Sequence, residues 1–277
     1  MRHLPLALVA ALALTGTANA AEVELWRLDC GQIEFRVQGL FSDSFAYPDG
    51  KRVLTNSCYL IRHDSEYMLW DTGLPGAMAE QAANADPAAP FAPSFERTVA
   101  SQLADLGVTP EQITRIGISH GHLDHTGQAA DFAAATLLIG AGDLAAMQSD
   151  APPFAFDPST LAPWLTGSAP VEAVSGDRDI FGDGSVVMLA MPGHTAGETA
   201  LLVRLAGAGP VLLSGDVVHF EEQMQRRAVP VFNADRADSL ASMARLREVA
   251  DNLGAQLVIQ HEPEDTGLLA AFPDSTK

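Results

Sequence analysis

Positively charged residues are scarce in this 277-residue chain, which has 16 lysines and arginines against 35 aspartates and glutamates. The formal net charge is −19. A surface of that sign repels phosphate backbones, so nucleic acid is excluded as an expected partner. Adsorption to anionic membranes is disfavoured for the same reason. Otherwise the charge indicates solubility.

Long hydrophobic runs are missing as well. The apolar stretch from Leu4 to Leu14 has eleven residues, too few to span a bilayer unaided, so stable membrane insertion is not expected. Arg2 precedes it and Ala18-Asn19-Ala20 follows it, a pattern typical of a secretory signal peptide cleaved after Ala20. We therefore expect a periplasmic or secreted protein with residues 21–277 as a single domain. An uncleaved amphipathic extension is the alternative.

Cysteine is rare, with only Cys30 and Cys58. An exported protein can hold a disulfide. A bridge between these two cysteines would close a loop of about 29 residues and stabilise the fold by about 3–4 kcal/mol. Two buried free thiols are the alternative, and neither cysteine looks catalytic.

Histidine, by contrast, is concentrated at one place. Residues 120–125 read His-Gly-His-Leu-Asp-His and follow the apolar run 113–119, which predicts a strand. Three imidazoles and a carboxylate are costly to hold together unless a cation orients them. Imidazole nitrogen and carboxylate oxygen are the ligands that zinc and similar divalent metals prefer. The run therefore predicts a metal site, against the alternative of a histidine-rich surface turn.

Three more residues that can bind metals follow predicted strands elsewhere in the chain. His194, Asp216 and His261 each come just after a run rich in valine, leucine or methionine. Side chains at strand ends meet at one rim of a layered α/β sheet, where loops converge on a site. Six or seven nitrogen and oxygen ligands are too many for one four-coordinate zinc ion and suit a pair of metals.

The order of these residues resembles the pattern of the metallo-β-lactamase superfamily. In that pattern a His-x-His-x-Asp-His run is followed by Gly-His-Thr, an aspartate and a final histidine. The similarity extends from about residue 53 to 262, and Asp71-Thr-Gly73 matches a further strand end of the family. The resemblance implies an α/β fold, a four-layer αβ/βα sandwich. The matching positions are His120, His122, Asp124, His125, His194, Asp216 and His261.

The resemblance also implies the metal ligands and the chemistry. It implies two divalent ions, most naturally zinc, with iron, manganese and cobalt as alternatives. A hydroxide held between the ions would be the nucleophile of a hydrolysis. The ligands would be His120, His122 and His194 for one ion and Asp124, His125 and His261 for the other, with Asp216 as the bridge.

Within the superfamily the chain looks most like the N-acyl homoserine lactonases. The bridging Asp216, the pair of segments Ser57–Ile61 and Trp70–Gly73, and the run Gln260–Glu264 carry this similarity. It implies opening of a lactone ring, the reaction of quorum quenching. Another hydrolase on the same site, such as a β-lactamase or an ester or thioester hydrolase, is the alternative. A metal-binding module without catalysis is a third interpretation.

Two residues are candidates for catalysis beyond metal binding. Asp124 is expected to deliver a proton to the leaving alkoxide. Familiar lactonases place a tyrosine three residues after the bridging aspartate, whereas this chain has His219 there. An imidazole at that position could donate a hydrogen bond or shuttle a proton. It could equally support a ligand or face solvent.

The expected partner is a small molecule with an apolar acyl chain, which needs an apolar groove. The candidates for lining this groove are Phe154, Phe156, Trp164, Phe220 and Met224. Ordinary packing is the alternative for each of them. Whether the protein forms a homodimer is left open.

Helices are predicted over residues 94–106 and 236–253 from apolar spacing, each ending at a glycine.

Overall fold

Two β-sheets pack face to face in the computed structural model, which describes residues 21–78 and 89–277. The predicted signal peptide therefore lies outside the described residues. The first sheet has seven strands in the order β4-β1-β2-β3-β5-β6-β7. Its strands are Val23–Phe35 (β1), Arg52–His63 (β2), Glu66–Trp70 (β3), Phe91–Ser94 (β4), Ile113–Ile118 (β5), Thr136–Gly140 (β6) and Val171–Val174 (β7).

The second sheet has five strands in the order β12-β11-β10-β9-β8. Every second residue of facing strands points into the space between the sheets, because side chains alternate along a strand. Tyr59, Ile61 and Met68 of the first sheet thereby share one core with Met188 and Leu201 of the second. The strands are Arg178–Asp179 (β8), Val186–Ala190 (β9), Thr199–Leu205 (β10), Gly209–Leu213 (β11) and Gln256–Val258 (β12).

Helices cover both outer faces of this pair of sheets. Leu103 and Trp164 lie in the core outside the first sheet, and Met243 and Leu246 lie in the core outside the second. The predicted four-layer αβ/βα sandwich is confirmed. No described helix has the length and apolar character needed to cross a membrane. The α-helices are Val99–Asp105 (α1), Leu123–Thr126 (α2), Ala141–Met147 (α3), Ala162–Leu165 (α4), Glu221–Arg226 (α5) and Arg236–Leu253 (α6).

The two helix predictions had different outcomes. Helix α6 has the predicted bounds and ends at Gly254, whose φ of 60° is the left-handed conformation of a helix C-terminus. The prediction for residues 94–106 was wrong at its start. Thr98 caps α1 by accepting a hydrogen bond from the Ser101 N–H, and Phe91–Ser94 instead pairs with β1 as an edge strand.

A disulfide joins Cys30 on β1 to Cys58 on β2, with the two Cα atoms 5.8 Å apart. Both residues are fully buried, and the bond between them rules out the alternative of two buried free thiols. Gly73, which follows β3, lies directly against this bridge. The disulfide is therefore packed beside the loop 71–73, which also supports the site described next.

Candidate metal centre

The seven predicted ligands meet at the rim where β5, β9, β11 and β12 end. They form two groups, and within each group the ligand atoms lie within 4.8 Å of one another. Asp216 stands between the groups, with Oδ2 3.5 Å from His194 Nε2 and Oδ1 3.5 Å from His125 Nε2. One group is His120, His122, His194 and Asp216, and the other is Asp124, His125 and His261.

Hydrogen bonds on the outer side of the rings orient these histidines. His125 Nδ1 lies 2.8 Å from Asp71 Oδ2, and His261 Nδ1 lies 2.7 Å from the Thr55 carbonyl oxygen. His194 Nδ1 lies 2.9 Å from Asn233 Oδ1. An acceptor at Nδ1 places the ring proton there, so the lone pair of Nε2 faces the centre.

Three buried atoms at the middle of the cluster have no hydrogen-bond partner among the described residues. They are His120 Nε2, His125 Nε2 and Asp216 Oδ1. Buried polar atoms without partners are costly, and a divalent cation bound between them removes the cost. The donor set, imidazole nitrogen and carboxylate oxygen, is one that zinc accepts. The residues present therefore fit two metal ions that share Asp216.

The electrostatics of the cluster keep His122, His194 and Asp216 in the forms that metals bind. Burial lowers the pKa of His122 and of His194 to about 3, so both rings are neutral. Burial alone would raise the pKa of Asp216, but the surrounding histidines, His261 first, hold it well below its usual value. Conversely, Asp216 outweighs burial at His125 and raises that pKa well above its usual value. Metal binding would then displace a proton.

Two buried carboxylates that sequence reasoning missed support the ligand loops. Asp143 Oδ2 accepts from the Gly121 N–H at 2.7 Å and the Thr195 hydroxyl at 2.8 Å, and Oδ1 accepts from the Gly197 N–H at 2.6 Å. Glu198 Oε1 accepts from the Asp216 N–H at 2.9 Å. Neither carboxylate lies in a recognisable motif, and Asp143 on a short helix resembles a surface residue in sequence.

The two catalytic candidates lie at different depths. Asp124 lines the cavity and its side chain is 17% exposed. His219 is only 3% exposed, so the alternative of a solvent-facing residue is wrong. Its Nε2 lies 3.2 Å from Asp216 Oδ2, and its ring packs edge-on against Phe41 and Phe232.

An apolar cavity of about 280 Å³ opens onto the ligand cluster. His122, Asp124, Asp216, His219 and His261 are among the residues at its polar end. The remaining walls are almost entirely hydrocarbon, a combination typical of small-molecule sites. Apolar residues along those walls include Ile33, Phe35, Leu40, Leu54, Leu74, Met78, Phe91, Phe154 and Phe232.

Only Phe154 among the predicted groove residues lines this cavity, at 74% exposure. Phe156 instead packs against the ring of His122. The prediction was therefore wrong for four of the five residues, and the side chains of the other three fill hydrophobic cores. Trp164 is buried and donates to the Ala135 carbonyl oxygen, Phe220 packs with Phe41 and Tyr47, and Met224 packs in the core under α6.

An αβ/βα sandwich that gathers histidines and aspartates at one rim defines a class of metal-binding α/β proteins. Residues 52–261 match the family described as the metallo-beta-lactamase superfamily. The chain belongs to that superfamily.

Several relatives within it share a name. The chain is 31% identical over 179 residues to the N-acyl homoserine lactonase AttM of Azorhizobium caulinodans, covering 59% of this chain and 64% of the relative. It is 26% identical over 228 residues to an N-acyl homoserine lactonase of a Bacillus species, covering 78% and 85%. The fold resembles that of an N-acyl homoserine lactone hydrolase with its product N-hexanoyl-L-homoserine bound at the catalytic metal center. That comparison has a TM-score of 0.79 at 20% identity, over 93% of this chain and 100% of the other.

Proposed function

We propose that this protein is a hydrolase that binds two divalent metal ions, zinc first among them, and opens the lactone ring of N-acyl homoserine lactones. One observation carries the proposal: the apolar cavity ends on two groups of metal-ligand atoms with the Asp216 carboxylate between them. The names of the curated relatives support the same substrate class.

The cavity suits a molecule with one polar and one apolar end. The lactone would lie at the end that contains Asp124 and His261, and the acyl chain would lie along Phe35, Leu40 and Phe232. Each methylene buried against such walls is worth about 0.8 kcal/mol. We therefore expect kcat/KM to rise about fourfold for each added methylene until the chain reaches the mouth of the cavity.

Bound metal ions would supply Lewis acidity and lower the pKa of water to about 7. In the reaction, water adds to the lactone carbonyl carbon, the ring C–O bond breaks, and the ring oxygen takes up a proton. Asp124 is the group we assign to carry that proton, because its carboxylate is the partly exposed one at the cavity end. The Asp143 carboxylate keeps the ligand loops in place.

We also propose that the protein is exported to the periplasm or secreted. The signal sequence and the disulfide between Cys30 and Cys58 both suit an oxidising compartment. Mass analysis of the full-length gene product from a periplasmic extract tests this. Material that begins at Ala21 is expected, and cytoplasmic material that still carries residues 1–20 would contradict it.

A substrate panel with metal analysis tests the function. Zinc-loaded protein is given acyl homoserine lactones of short, medium and long chain, a carbapenem and an acyl thioester, and proton release is followed. Two ions per chain and lactone opening that depends on chain length are expected. Turnover of the carbapenem or the thioester with no lactone opened at any length would refute the substrate class. Asp216→Asn should lose metal and activity together, whereas the exposed Asp150→Asn should lose neither.

A further inference from the structure

The strand β2 passes beside two of the three ligands in the group of Asp124, His125 and His261. The Thr55 N–H donates to the His261 carbonyl oxygen at 3.2 Å, and the Thr55 carbonyl oxygen lies 2.7 Å from His261 Nδ1. The next residue, Asn56, reaches the other ligand, since its Nδ2 donates to the Asp124 carbonyl oxygen at 2.8 Å. Two consecutive residues of one strand therefore hold two candidate ligands from distant parts of the chain.

The carbonyl group of Asp124 lacks a donor inside its own helix. A helix leaves its last four carbonyl groups without a partner in the helix, and α2 consists only of Leu123–Thr126. Asn56 supplies the missing donor from another strand. A carbonyl oxygen only accepts, so this contact also determines which end of the Asn56 amide faces Asp124.

The backbone on both sides of Asp124 is held by other segments. The Leu123 N–H donates to the Ala155 carbonyl oxygen at 2.9 Å. The His125 carbonyl oxygen accepts from the Thr72 N–H at 2.7 Å and from the Thr72 hydroxyl at 3.0 Å. The turn is thus fixed before and after Asp124, and the contact from β2 fixes it at Asp124 itself.

The side chain of Asp124 has no such support. Among the described residues no hydrogen bond reaches its carboxylate, whose Oδ2 lies 3.6 Å from His125 Nε2 and 3.7 Å from His261 Nε2. Both distances exceed the usual length of a hydrogen bond. The backbone of Asp124 therefore sets the position of this carboxylate, and Asn56 holds that backbone.

Packing alone does not account for an asparagine at position 56. The side chain is fully buried, and it is not among the described residues that line the cavity. Its Oδ1 has no partner in the described part of the chain, so the amide makes its hydrogen bond to Asp124 and leaves one buried acceptor unpaired. An unpaired buried polar atom is costly, and an apolar side chain would avoid it. The contact with Asp124 is what the asparagine contributes.

We propose that Asn56 is a positioning residue, which acts through the Asp124 carbonyl group to direct the Asp124 carboxylate to the end of the cavity. The inference rests on the proposed metal centre. In this role Asn56 touches neither an ion nor the substrate, so its effect should disappear when the Asp124 carboxylate is removed. That dependence distinguishes positioning from a general loss of stability.

A double-mutant cycle on zinc affinity tests the dependence, measured by competition with a chromophoric chelator. Asn56→Leu keeps the size of the side chain but removes the donor, and it should weaken one of the two zinc sites about 10-fold. In the Asp124→Ala background the same substitution should change zinc affinity by less than about twofold, because residues that act through one contact are not additive. An equal loss in both backgrounds would overturn the inference. A wild-type protein that binds no zinc would overturn the metal centre as well.

Turnover of an acyl homoserine lactone supplies a second readout. Asn56→Leu should lower kcat about 10-fold and leave KM within about twofold of the wild type, because position 56 does not line the cavity. Asn252→Leu, at an exposed position of α6, is the matched control and should change neither. A raised KM with an unchanged kcat would contradict the positioning role. If the wild type binds zinc but opens no lactone, only the substrate class fails, and the zinc cycle decides the role of Asn56.

NMR without any substitution at position 56 decides the matter if Asn56→Leu does not fold. In ¹⁵N-labelled protein, the side-chain amide resonance of Asn56 should shift when zinc binds, because its partner peptide belongs to a candidate ligand. The shift should be largely lost in Asp124→Ala. No shift in the wild type, or an equal shift in Asp124→Ala, would overturn the inference.

Discussion

At the scale of single residues, buried carboxylates outside the ligand set control the geometry of the centre. Asp71 accepts from the Ser119 N–H and from His125 Nδ1, so one side chain connects the loop after β3 with the histidine run. Asp143 connects the loops that carry His122 and His194 through backbone N–H groups. Such partners restrict the positions of ligand side chains, and their loss typically reduces metal affinity by about 10–100-fold.

Asp143→Ala should destabilise the metal-free protein by at least about 2 kcal/mol. It leaves the N–H groups of Gly121 and Gly197 buried without an acceptor, which costs about 1–3 kcal/mol for each group. Zinc affinity should fall by about 10–100-fold. Urea unfolding and chelator competition measure the two effects. Asp150→Ala, at an exposed aspartate of the same region, is the control. Equal stability and equal zinc affinity of the two variants would show that Asp143 does not support the ligand loops.

Gly73→Ala should destabilise the protein by about 1–3 kcal/mol. An added Cβ would lie 2.7 Å from Cys30 Cβ and 2.8 Å from Cys30 Sγ, at a backbone φ of 69° that non-glycine residues rarely adopt. Gly76→Ala, shortly after this loop, would add a Cβ that meets nothing within 4 Å, and it is the matched control. Thermal unfolding of the two variants, compared with the wild type, should separate them. A Gly73→Ala protein as stable as Gly76→Ala would mean that the loop moves freely away from the disulfide.

At the scale of secondary-structure elements, the candidate metal ligands lie just after strand ends, and neighbouring elements pack against the loops that carry them. The loop 71–73 lies between the disulfide on one side and the helix α2 on the other. The Thr72 N–H donates to the His125 carbonyl oxygen, and the Gly127 N–H donates to the Gly73 carbonyl oxygen. The disulfide between β1 and β2 therefore supports the end of α2, which carries His125.

Replacing both cysteines by alanine should lower the free energy of unfolding by about 3–4 kcal/mol, because the loop between Cys30 and Cys58 is no longer closed in the unfolded chain. Urea unfolding of the metal-free protein measures this. Wild-type protein unfolded and refolded with a reductant should approach the stability of the variant. A variant that matches the oxidised wild type would show that the bridge does not stabilise this fold.

At the scale of the whole molecule, few cations balance many acids, and one group of ion pairs joins the start of β1 to the C-terminal segment. Glu24 on β1 lies beside Arg62 on β2 and beside Ser275 and Lys277 of the C-terminal segment. Burial raises the pKa of this carboxyl, but hydrogen bonds from those three residues outweigh it and lower the pKa to about 2. The last residues of the chain are thereby attached to the first sheet.

The pH dependence of stability should therefore include a contribution from Glu24. Because its pKa falls from 4.5 to about 2 on folding, the stabilisation is complete above pH 4.5 and is lost as the pH falls toward 2. We expect Glu24→Gln to reduce the stability of the metal-free protein by about 3 kcal/mol at neutral pH and by little near pH 2. Urea unfolding between these limits measures the difference. Glu96→Gln, at an exposed glutamate, should follow the wild type, and a Glu24→Gln effect that does not change with pH would contradict this assignment.

The sequence by itself determined those features of this protein that depend on residues close together in the chain. The helix α6 follows from apolar spacing and a terminal glycine, and the metal centre follows from ligand types placed just after apolar strands. Both signals are local. The side chains of a helix or strand repeat their direction with a fixed period, and a residue that directly follows a strand lies at the end of that strand.

Tertiary structure alone decided which side chains face each other across the chain. Trp164 fills a core although its irregular segment looked like a groove, whereas Phe35 and Phe232 from opposite ends of the chain line the cavity. Asp143 supports the ligand loops only because segments distant in sequence meet at one rim. An aromatic ring or a carboxylate has the same local pattern whether it packs inward, supports a ligand or meets water, so only the folded neighbours distinguish these roles.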